Sequence, residues 1–316
     1  MRGVLVREWT AFENLELQDC PVPELGPGQV RIATKAAGVS FATSLVVAGK
    51  YQRKPPLPFV PGTEVAGVVT EVAEGVTPFS PGDRVCAILD WGGLAEEAVA
   101  NAVNTFPIPD SLDFHRAICF TNSYGTSYAA LVWPHLLHVQ AGETLLVHGA
   151  TGGVGLAAIE IGKILGDHTI NYRAGPFREK VLELTGGDGA NAIYDPVGGD
   201  VFMESLRCIA AEGRIMPVGF AGGTIQQIPA NILLVKNITV CGLNMGYYMG
   251  WSPKDVRHQY ADRMREMMAQ LFAWFEEDRL NPRVAQVFPL DDFQAAMAMV
   301  LGRQAIGRVA IVMDGA

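Results

Sequence analysis

The sequence lacks long uncharged apolar runs and an excess of basic residues. The 316 residues carry a formal net charge of −9, so the chain does not show the basic face that a general nucleic-acid binder needs. Even the apolar stretch LAAIEIGKILG contains Glu160 and Lys163. No run of about 18 uncharged apolar residues therefore predicts a membrane span. We expect neither a nucleic-acid partner nor a membrane partner.

Clustered cysteines are also missing. The five cysteines are scattered and odd in number, and they form neither a CxxC motif nor a Cys/His cluster. This usage is typical of buried, reduced thiols, and it predicts a cytoplasmic protein rather than a disulfide-stabilised secreted one. The opening MRGVLVREWT has no long apolar core, so we do not expect it to act as a signal peptide.

The composition is that of a compact, turn-rich protein, with 49% hydrophobic and 18% charged residues, 35 Gly and 19 Pro. Its length suits about two domains of roughly 150 residues each. Residues 1 to about 120 contain β-branched runs that are separated by Gly-Pro turns, which predicts an all-β, barrel-like segment. The clearest runs are QVRIATKAAGV, EVAGVVTEV and DRVCAIL.

From about residue 123 the pattern changes to alternating strands and helices. Short loops between such elements predict a mostly parallel sheet that is covered by helices. The expected strands are TLLVHG (144–149), HTINY (168–172), NAIYDPV (191–197), RIMPVGF (214–220) and ITVCGLNM (238–245). The expected helices span residues 152–165, 176–186 and 200–210.

A further helix is expected near residue 252. Ser252 suits an N-cap, Pro253 the first turn and Asp255 the position of a capping acid. A stripe at helical spacing follows and is interpreted as core: Val256, Tyr260, Met264, Met267, Met268, Leu271 and Phe275. The final strand GRVAIVM is expected to return to the first domain. The predicted domains are therefore 1–122 with 256–316, interrupted by 123–255.

The stretch HGATGGVG is the strongest functional signal. Gly152, Gly153, Val154 and Gly155 lie between a predicted strand and a predicted helix. In that context a glycine turn lets the backbone approach a pyrophosphate, which the N-terminal end of the helix attracts. A Walker-type ATP loop is not expected, because no Lys-Ser/Thr pair follows the last glycine. A tight turn that binds nothing is the alternative.

Several motifs together resemble the zinc-free medium-chain dehydrogenase/reductases, and most closely the NADPH:quinone oxidoreductase branch. The resemblance rests on PFVPGTEVAGVVTEVAEGVTPFSPGDRV, NSYGTSYAAL, ETLLVHGATGGVGLAAIEIGK and YDPVGGDVF. It implies a GroES-like β domain for the substrate and a Rossmann-like domain for NADP(H). It also implies an active site in the cleft between the domains, and a homodimer.

No metal site is expected. By the resemblance, Ser40 and Thr63 hold the positions where zinc-dependent relatives have Cys and His, and the further Cys ligand would fall near Asn122. Catalytic zinc needs about three N, S or carboxylate ligands from the protein. Quinones and enones are already polarised, so hydride can add to them directly while the enzyme orients the reactants and excludes water.

The resemblance also assigns site residues. Asn122 and Thr126 would lie at the nicotinamide end, and Gly219 and Phe220 would border its ring. Tyr51 would line the substrate cleft and hydrogen-bond the acceptor oxygen. Each has a structural alternative, since Asn122 would also suit a turn cap, Phe220 the core and Tyr51 the surface.

The loop GVSFATSL departs from the family pattern. Ser40 and Thr43 stand where the family usually has Asn and Asp. Both residues are candidate catalytic positions. A hydroxyl still donates a hydrogen bond, but the carboxylate is gone, which bears on substrate preference and on activity.

The Rossmann-like segment is also shorter than in the family by one strand and one helix. A vacant strand position would leave backbone donors and acceptors without partners. HTINY is therefore expected on one side of TLLVHG and NAIYDPV on the other, in the order 2-1-3-4-5. Tyr172 would then stack on adenine and Arg173 would pair with a 2′-phosphate, which predicts a preference for NADP(H) over NAD(H).

Three functional hypotheses follow. The first is NADPH-dependent reduction of a quinone or related enone. The second is a non-catalytic relative whose cofactor site is impaired by the shortened sheet. The third is an enoyl-thioester reductase, for which Lys50, Arg53 and Lys54 would supply a basic entrance.

Overall fold

A computed structural model describes residues 1–165 and 177–313 of the chain. The predicted strand HTINY, with Tyr172 and Arg173, lies outside the described residues. The strands are β1 (Arg2–Val4), β2 (Leu17–Asp19), β3 (Gln29–Val39), β4 (Glu64–Val72), β5 (Arg84–Ile88), β6 (Glu97–Asn101), β7 (Thr105–Pro107), β8 (Leu145–Val147), β9 (Ala190–Asp195), β10 (Ile209–Pro217), β11 (Thr239–Val240), β12 (Val284–Pro289) and β13 (Arg308–Val312).

Helices follow the same chain order. The α-helices are α1 (Phe41–Val47), α2 (Phe114–Cys119), α3 (Gly125–Val132), α4 (Gly153–Leu165), α5 (Phe177–Leu184), α6 (Gly199–Cys208), α7 (Ala230–Lys236), α8 (Met245–Tyr248), α9 (Ala261–Glu276) and α10 (Phe293–Leu301). A π-helix, Phe120–Tyr124, joins α2 to α3. Short 3₁₀ helices occupy Phe12–Asn14, Ala102–Asn104, Arg257–Tyr260 and Leu290–Asp292.

Contacts divide the chain into two compact units. Unit 1 comprises Met1–Asn122, Gly246–Glu277 and Pro282–Ala316, and unit 2 comprises Ser123–Met245 and Asp278–Asn281. This division changes unit after Asn122 and again at Gly246, whereas the domains predicted from the sequence change after residue 122 and at residue 256.

Unit 1 is built on a mostly antiparallel sheet with the order β12-β13-β3-β4-β5-β7, in which β6 also pairs with β3. In β3 the buried side chains of Val30, Ile32 and Thr34 alternate with half-buried ones, as a strand with one face on the core requires. The predicted return of the final strand is confirmed, because Val309 of β13 pairs with Val39 of β3.

Two local predictions in unit 1 were incomplete or wrong. The all-β prediction for the first 120 residues missed α1, a helix of 7 residues that Ser40 caps through its side chain. The helix predicted to start at Ser252 does not start there: the helical turns begin at Arg257. The Asp255 carboxylate instead accepts hydrogen bonds from the backbone N–H and the Nε of Arg257, which holds residues 255–257 in a turn. Five members of the Met/aromatic stripe are buried along α9, as expected: Met264, Met267, Met268, Leu271 and Phe275. Val256 and Tyr260 precede this helix, and Tyr260 is half-buried.

Unit 2 contains the predicted parallel sheet. Its strands have the order β11-β10-β9-β8, and each neighbouring pair is parallel. The expected pairing of NAIYDPV with TLLVHG is confirmed, since Leu146 of β8 pairs with Ile193 of β9. Every residue of β8 is buried, which is typical of a strand inside a parallel sheet that is covered on both faces.

Helix α4 follows β8 directly and covers this sheet. Its buried face consists of small and apolar residues, among them Ala157, Ala158 and Ile161. A Cβ on Gly162 would lie 2.7 Å from the Leu145 side chain, so glycine there lets the helix lie close to the strand. Within the described residues, the helices are too short or too polar to cross a lipid bilayer.

Candidate functional site

Three loops of unit 2 leave the same edge of the parallel sheet. They follow the carboxyl ends of β8, β9 and β10, which are Val147, Asp195 and Pro217. Parallel strands end at one common edge, and open α/β sheets bind their ligands in the crevice outside that edge. These loops contain the predicted pyrophosphate residues and the predicted ring-bordering residues, Gly219 and Phe220.

The turn between β8 and α4 has the backbone that a phosphate cradle needs. Gly149 adopts a φ of 59°, a left-handed conformation that favours glycine. A Cβ on Gly155 would lie 2.3 Å from the carbonyl oxygen of Gly149, whereas a Cβ on Gly152 would meet, among the described residues, only that oxygen, at 3.5 Å. The first turn of α4 therefore packs directly on the loop, and the described part of the chain leaves the space beside Gly152 open. Gly153 and Val154 begin the helix, where backbone N–H groups attract an anion.

The loops after β9 and β10 are hydrogen-bonded to each other. Val218 N donates to Asp195 O at 2.7 Å, and Gly222 N donates to Val197 O at 2.8 Å. Gly219 and Phe220 lie in this paired segment. The Phe220 ring is 42% exposed, so the alternative that it belongs to the core does not apply.

The glycine turn contacts the loop after β9. A Cβ on Gly149 would lie 3.0 Å from Pro196 and 3.6 Å from Val197. Pro196 and Val197 thus lie between the glycine turn and the segment that contains Phe220. Gly219, Phe220 and the glycine turn are therefore brought to one region of unit 2.

Asp195 holds the loop after β9 in place. Its side chain is buried, and Oδ1 accepts hydrogen bonds from Val197 N at 2.7 Å and Gly198 N at 3.0 Å. Oδ2 is buried, and no described residue forms a hydrogen bond with it. Burial raises the pKa of this carboxyl, while the two backbone hydrogen bonds oppose the rise. Asp195 lies in the motif YDPVGG, but it was not among the site residues predicted from the sequence.

Helix α3 is attached to the glycine turn. Ser127 Oγ donates to Val154 O at 2.8 Å and lies 3.0 Å from the Tyr194 hydroxyl. Ser127 and Tyr194 are fully buried, so these hydrogen bonds are shielded from water. The neighbouring residue Thr126, a predicted nicotinamide residue, is 7% exposed. Asn122 lies inside the π-helix and does not cap a turn.

His148, directly before the turn, is a structural residue. Its Nε2 lies 2.8 Å from Ser205 Oγ, and its ring packs edge-on against Phe177 with centroids 4.8 Å apart. Burial lowers the pKa of His148 to about 4, so the ring is neutral near pH 7. The side chain therefore packs under the glycine turn without adding positive charge to it.

The predicted catalytic residues lie in unit 1. Ser40 caps α1, and its Oγ lies 3.1 Å from Thr43 Oγ1. Two hydroxyls that share one hydrogen bond leave one of their two protons for another acceptor. Tyr51 follows α1 and is half-buried, and burial raises the pKa of its hydroxyl. Its hydroxyl is therefore protonated at neutral pH and able to donate a hydrogen bond.

The residues at the zinc positions do not fit zinc. Ser40 and Thr63 offer hydroxyls, which are not the N, S or carboxylate ligands that catalytic zinc requires. Glu64, next to Thr63, is buried in an ion pair with Arg308. Across residues 1–165 and 177–313, His, Cys, Asp and Glu side chains form no group of three or more that could hold a metal ion.

Arg53 is committed to a cluster inside unit 1. It pairs with the Asp90 carboxylate at 2.9 Å, and Asp90 also pairs with the buried Arg257 at 3.1 Å. The Arg53 guanidinium lies 5.3 Å from the Trp91 ring centre and 5.8 Å from that of Trp251. Its charge is balanced by Asp90, so it adds little to a basic entrance for a thioester carrier.

Comparison with known proteins agrees with this architecture. A family model described as zinc-binding dehydrogenase matches residues 165–311, and one described as the alcohol dehydrogenase GroES-like domain matches residues 26–110. The quinone oxidoreductase-like protein 2 homolog of Nematostella vectensis is 41% identical over 310 residues, which is 91% of this chain and 82% of that relative.

Solved structures of similar proteins cover almost the whole chain. A probable oxidoreductase from Mycobacterium abscessus is 31% identical, with a TM-score of 0.84 over 99% of this chain and 98% of that one. A mycobacterial protein solved in complex with NADPH is 28% identical, with a TM-score of 0.86 over 99% of this chain and 100% of that one. Unit 1 therefore has the GroES-like fold and unit 2 the Rossmann-like fold.

Proposed function

We propose, from the premise that this chain belongs to the medium-chain dehydrogenase/reductase family and has quinone oxidoreductase-like relatives, that it reduces a quinone or related enone with NADP(H). The observation that carries the proposal is the meeting of the glycine turn, the Pro196–Val197 loop and the Phe220 segment at the carboxyl edge of one parallel sheet. That edge is where a dinucleotide binds in this type of fold. The oxidoreductase class follows from the family, and the acceptor and the cofactor are proposed.

The residues of unit 2 fit a dinucleotide. The open space beside Gly152 and the N-terminal turn of α4 suit a pyrophosphate. The exposed face of Phe220 and the side chain of Thr126 suit the nicotinamide end. When bound, NADPH supplies a hydride to the acceptor. Tyr172 and Arg173 are the proposed adenosine-side residues, which rests on their sequence positions alone.

In unit 1, Tyr51, Ser40 and Thr43 are proposed to bind the acceptor. The protonated Tyr51 hydroxyl donates a hydrogen bond to a carbonyl oxygen, on which negative charge develops as hydride arrives. The Ser40–Thr43 pair retains one proton for a second oxygen. With hydroxyls at these positions, the proposed reaction proceeds without a zinc ion.

The solution state and location are part of the same proposal. All five cysteines are unpaired and buried, which supports a reducing, cytoplasmic compartment. The proposed homodimer rests on the family resemblance. Its mass in solution can be measured by sedimentation in an analytical ultracentrifuge.

The experiment is a pair of measurements on the purified chain. NADPH and NADH are titrated by nicotinamide fluorescence, and NADPH oxidation is then followed with 1,4-benzoquinone and, separately, with a short enoyl thioester. We expect tighter binding of NADPH than of NADH, and turnover with the quinone. Absence of NADPH binding would favour the non-catalytic hypothesis. A preference for the enoyl thioester would favour the third hypothesis.

A matched pair of variants tests the acceptor residues. Tyr51→Phe removes only the proposed donor, and we expect kcat to fall by roughly 100-fold, as for the loss of one donor to a developing negative charge. Tyr260→Phe, the same change at another half-buried tyrosine of unit 1, serves as the control. Equal turnover by the two variants would remove Tyr51 from the proposed mechanism.

A further inference from the structure

Glu160, in the middle of α4, joins three separate segments of unit 2. Its Oε2 accepts a hydrogen bond from the Tyr124 hydroxyl at 2.7 Å and another from the backbone N–H of Asn281 at 2.8 Å. Tyr124 is the last residue of the π-helix, and Asn281 is the last residue of the segment Asp278–Asn281. One carboxylate oxygen therefore ties the π-helix and this segment to the helix that begins at the glycine turn.

The tyrosine end of this link is well shielded. Tyr124 is only 3% exposed, so its hydroxyl has little access to water as a replacement acceptor. A charged acceptor makes the hydrogen bond roughly twice as strong as a neutral one. Loss of the carboxylate would therefore leave a buried donor without this acceptor and loosen the end of the π-helix.

The same helix pair has a second tether. Ser127 Oγ donates a hydrogen bond to Val154 O. Ser127 lies three residues after Tyr124, and Val154 lies six residues before Glu160. Residues three apart on a helix lie on the same face, so Tyr124 and Ser127 hold one face of this segment along α4. Thr126 lies between these two tethered residues in the sequence.

A π-helix is itself informative. Such turns are rare and occur frequently at functional sites. Here the turn contains Asn122, and Thr126 follows it at once. The rare turn is thus held at its end by the carboxylate of Glu160, a residue that was not among the site residues predicted from the sequence.

We infer that Glu160 is a positioning residue, which acts through Tyr124 to fix the unit 2 end of the π-helical turn, and with it Thr126, relative to the glycine turn. The inference rests on the proposed function for its catalytic consequence. Glu160 does not touch the reactants. Its role is to keep the nicotinamide-end residues in register with the pyrophosphate end, and such orientation appears mainly in kcat when the binding contacts themselves remain.

Hydrogen–deuterium exchange without cofactor tests the anchor. In Glu160→Ala we expect the amides of residues 118–128 and 279–283 to exchange roughly tenfold faster, as for the loss of a charged hydrogen bond. In Glu160→Gln the amide oxygen still accepts both hydrogen bonds, so exchange stays within about twofold of the wild type. If Glu160→Ala does not fold, Tyr124→Phe provides the same test, because it removes only the hydroxyl. We expect this variant to exchange faster in residues 118–128.

Glu143 provides a matched control in the same unit. Its Oε2 also accepts from one backbone N–H, that of Gln140 at 2.9 Å, and from one side chain, Arg214 at 2.5 Å. It lies before the amino end of β8, away from the glycine turn along the strand. Glu143→Ala is expected to leave exchange in residues 118–128 unchanged. Equal acceleration in Glu160→Ala and Glu143→Ala would overturn the inference.

Steady-state kinetics then test the consequence for catalysis. In Glu160→Ala we expect kcat to fall roughly tenfold, while KM for NADPH stays within about threefold, and Glu160→Gln to restore kcat. A rise in KM with unchanged kcat, or failure of Glu160→Gln to restore kcat, would overturn the positioning role. Absence of turnover in the wild type would overturn the proposed function instead, and the exchange comparison would still decide whether Glu160 is the anchor.

Discussion

A Cβ on Gly155 would lie 2.3 Å from the carbonyl oxygen of Gly149. Side-chain carbon atoms do not approach a backbone oxygen so closely, so the helix and the turn are held at a distance that only glycine allows. This contact fixes the start of α4 against the end of β8. It therefore fixes the direction in which the first N–H groups of the helix point, and these are the groups proposed to bind the pyrophosphate.

Alanine at the two glycines should separate packing from binding. Gly155→Ala collides with backbone, so we expect it to lower the free energy of unfolding by about 1–3 kcal/mol, as overpacking does, and to weaken NADPH binding. In Gly152→Ala the added Cβ lies in space that the described residues leave open, so we expect an unchanged free energy of unfolding. Only the affinity for NADPH should fall. Chemical denaturation and fluorescence titration measure the two quantities.

Gly242→Ala is the control for both glycine variants. Its Cβ would have no neighbour within 4 Å, and it lies outside the three loops of the site. Wild-type stability and affinity are expected. If Gly152→Ala bound NADPH as tightly as Gly242→Ala does, the open space beside Gly152 would not be the pyrophosphate site.

Stability should fall as the pH falls below the usual range of histidine. Burial lowers the pKa of His148 from 6.5 to about 4, so between these values the unfolded chain binds a proton that the folded chain does not. The unfolded state is favoured as the pH drops through this window, by up to about 3 kcal/mol at its lower end. Above pH 6.5 both states carry a neutral ring, and the contribution vanishes.

Urea unfolding of His148→Gln between pH 4 and pH 7.5 checks this prediction, as about 3 kcal/mol of the pH dependence should disappear. His115→Gln, at a side chain that is 40% exposed, should leave the dependence as it is in the wild type. A His148→Gln profile that parallels the wild-type profile would show that other groups cause the acid sensitivity.

The Glu64–Arg308 ion pair should matter more than a surface pair. The two side chains are 2% and 10% exposed, and burial lowers the pKa of Arg308 to about 10. Arg308→Gln would leave the buried Glu64 carboxylate uncompensated and should cost about 3–5 kcal/mol of unfolding free energy. Arg265→Gln, in an exposed pair with Asp262, should cost at most about 1 kcal/mol. Similar midpoints in thermal unfolding would contradict this ranking.

Arg173 is expected to set the choice between the two nicotinamide cofactors. If its guanidinium pairs with the 2′-phosphate, Arg173→Gln should weaken NADPH binding by roughly tenfold and leave NADH binding unchanged. Arg178→Gln, on α5 and paired with Glu204, is the control with the same change of charge. Parallel loss of both cofactors, or equal effects of the two variants, would remove Arg173 from the cofactor site.

Much of the fold was predictable because its signals are local. Strand–helix alternation predicted the parallel sheet of unit 2, and the confirmed pairing of β8 with β9 followed from the shortness of the joint after Leu165. Local signals also misled. The Ser252–Asp255 stretch has the composition of a helix start, yet Asp255 binds Arg257, whose guanidinium pairs with Asp90 far away in the sequence. A partner at that separation leaves no trace in a short window.

The sequence by itself determined the family, the order of the elements and the glycine turn, since spacing along the chain carries each of them. Only the tertiary structure decided how that turn is held. Ser127, Tyr194 and Glu160 form their hydrogen bonds across segments that lie apart in the sequence. Such contacts depend on how packed helices and strands bring side chains together, and a buried hydrogen bond is specified by that packing rather than by any motif.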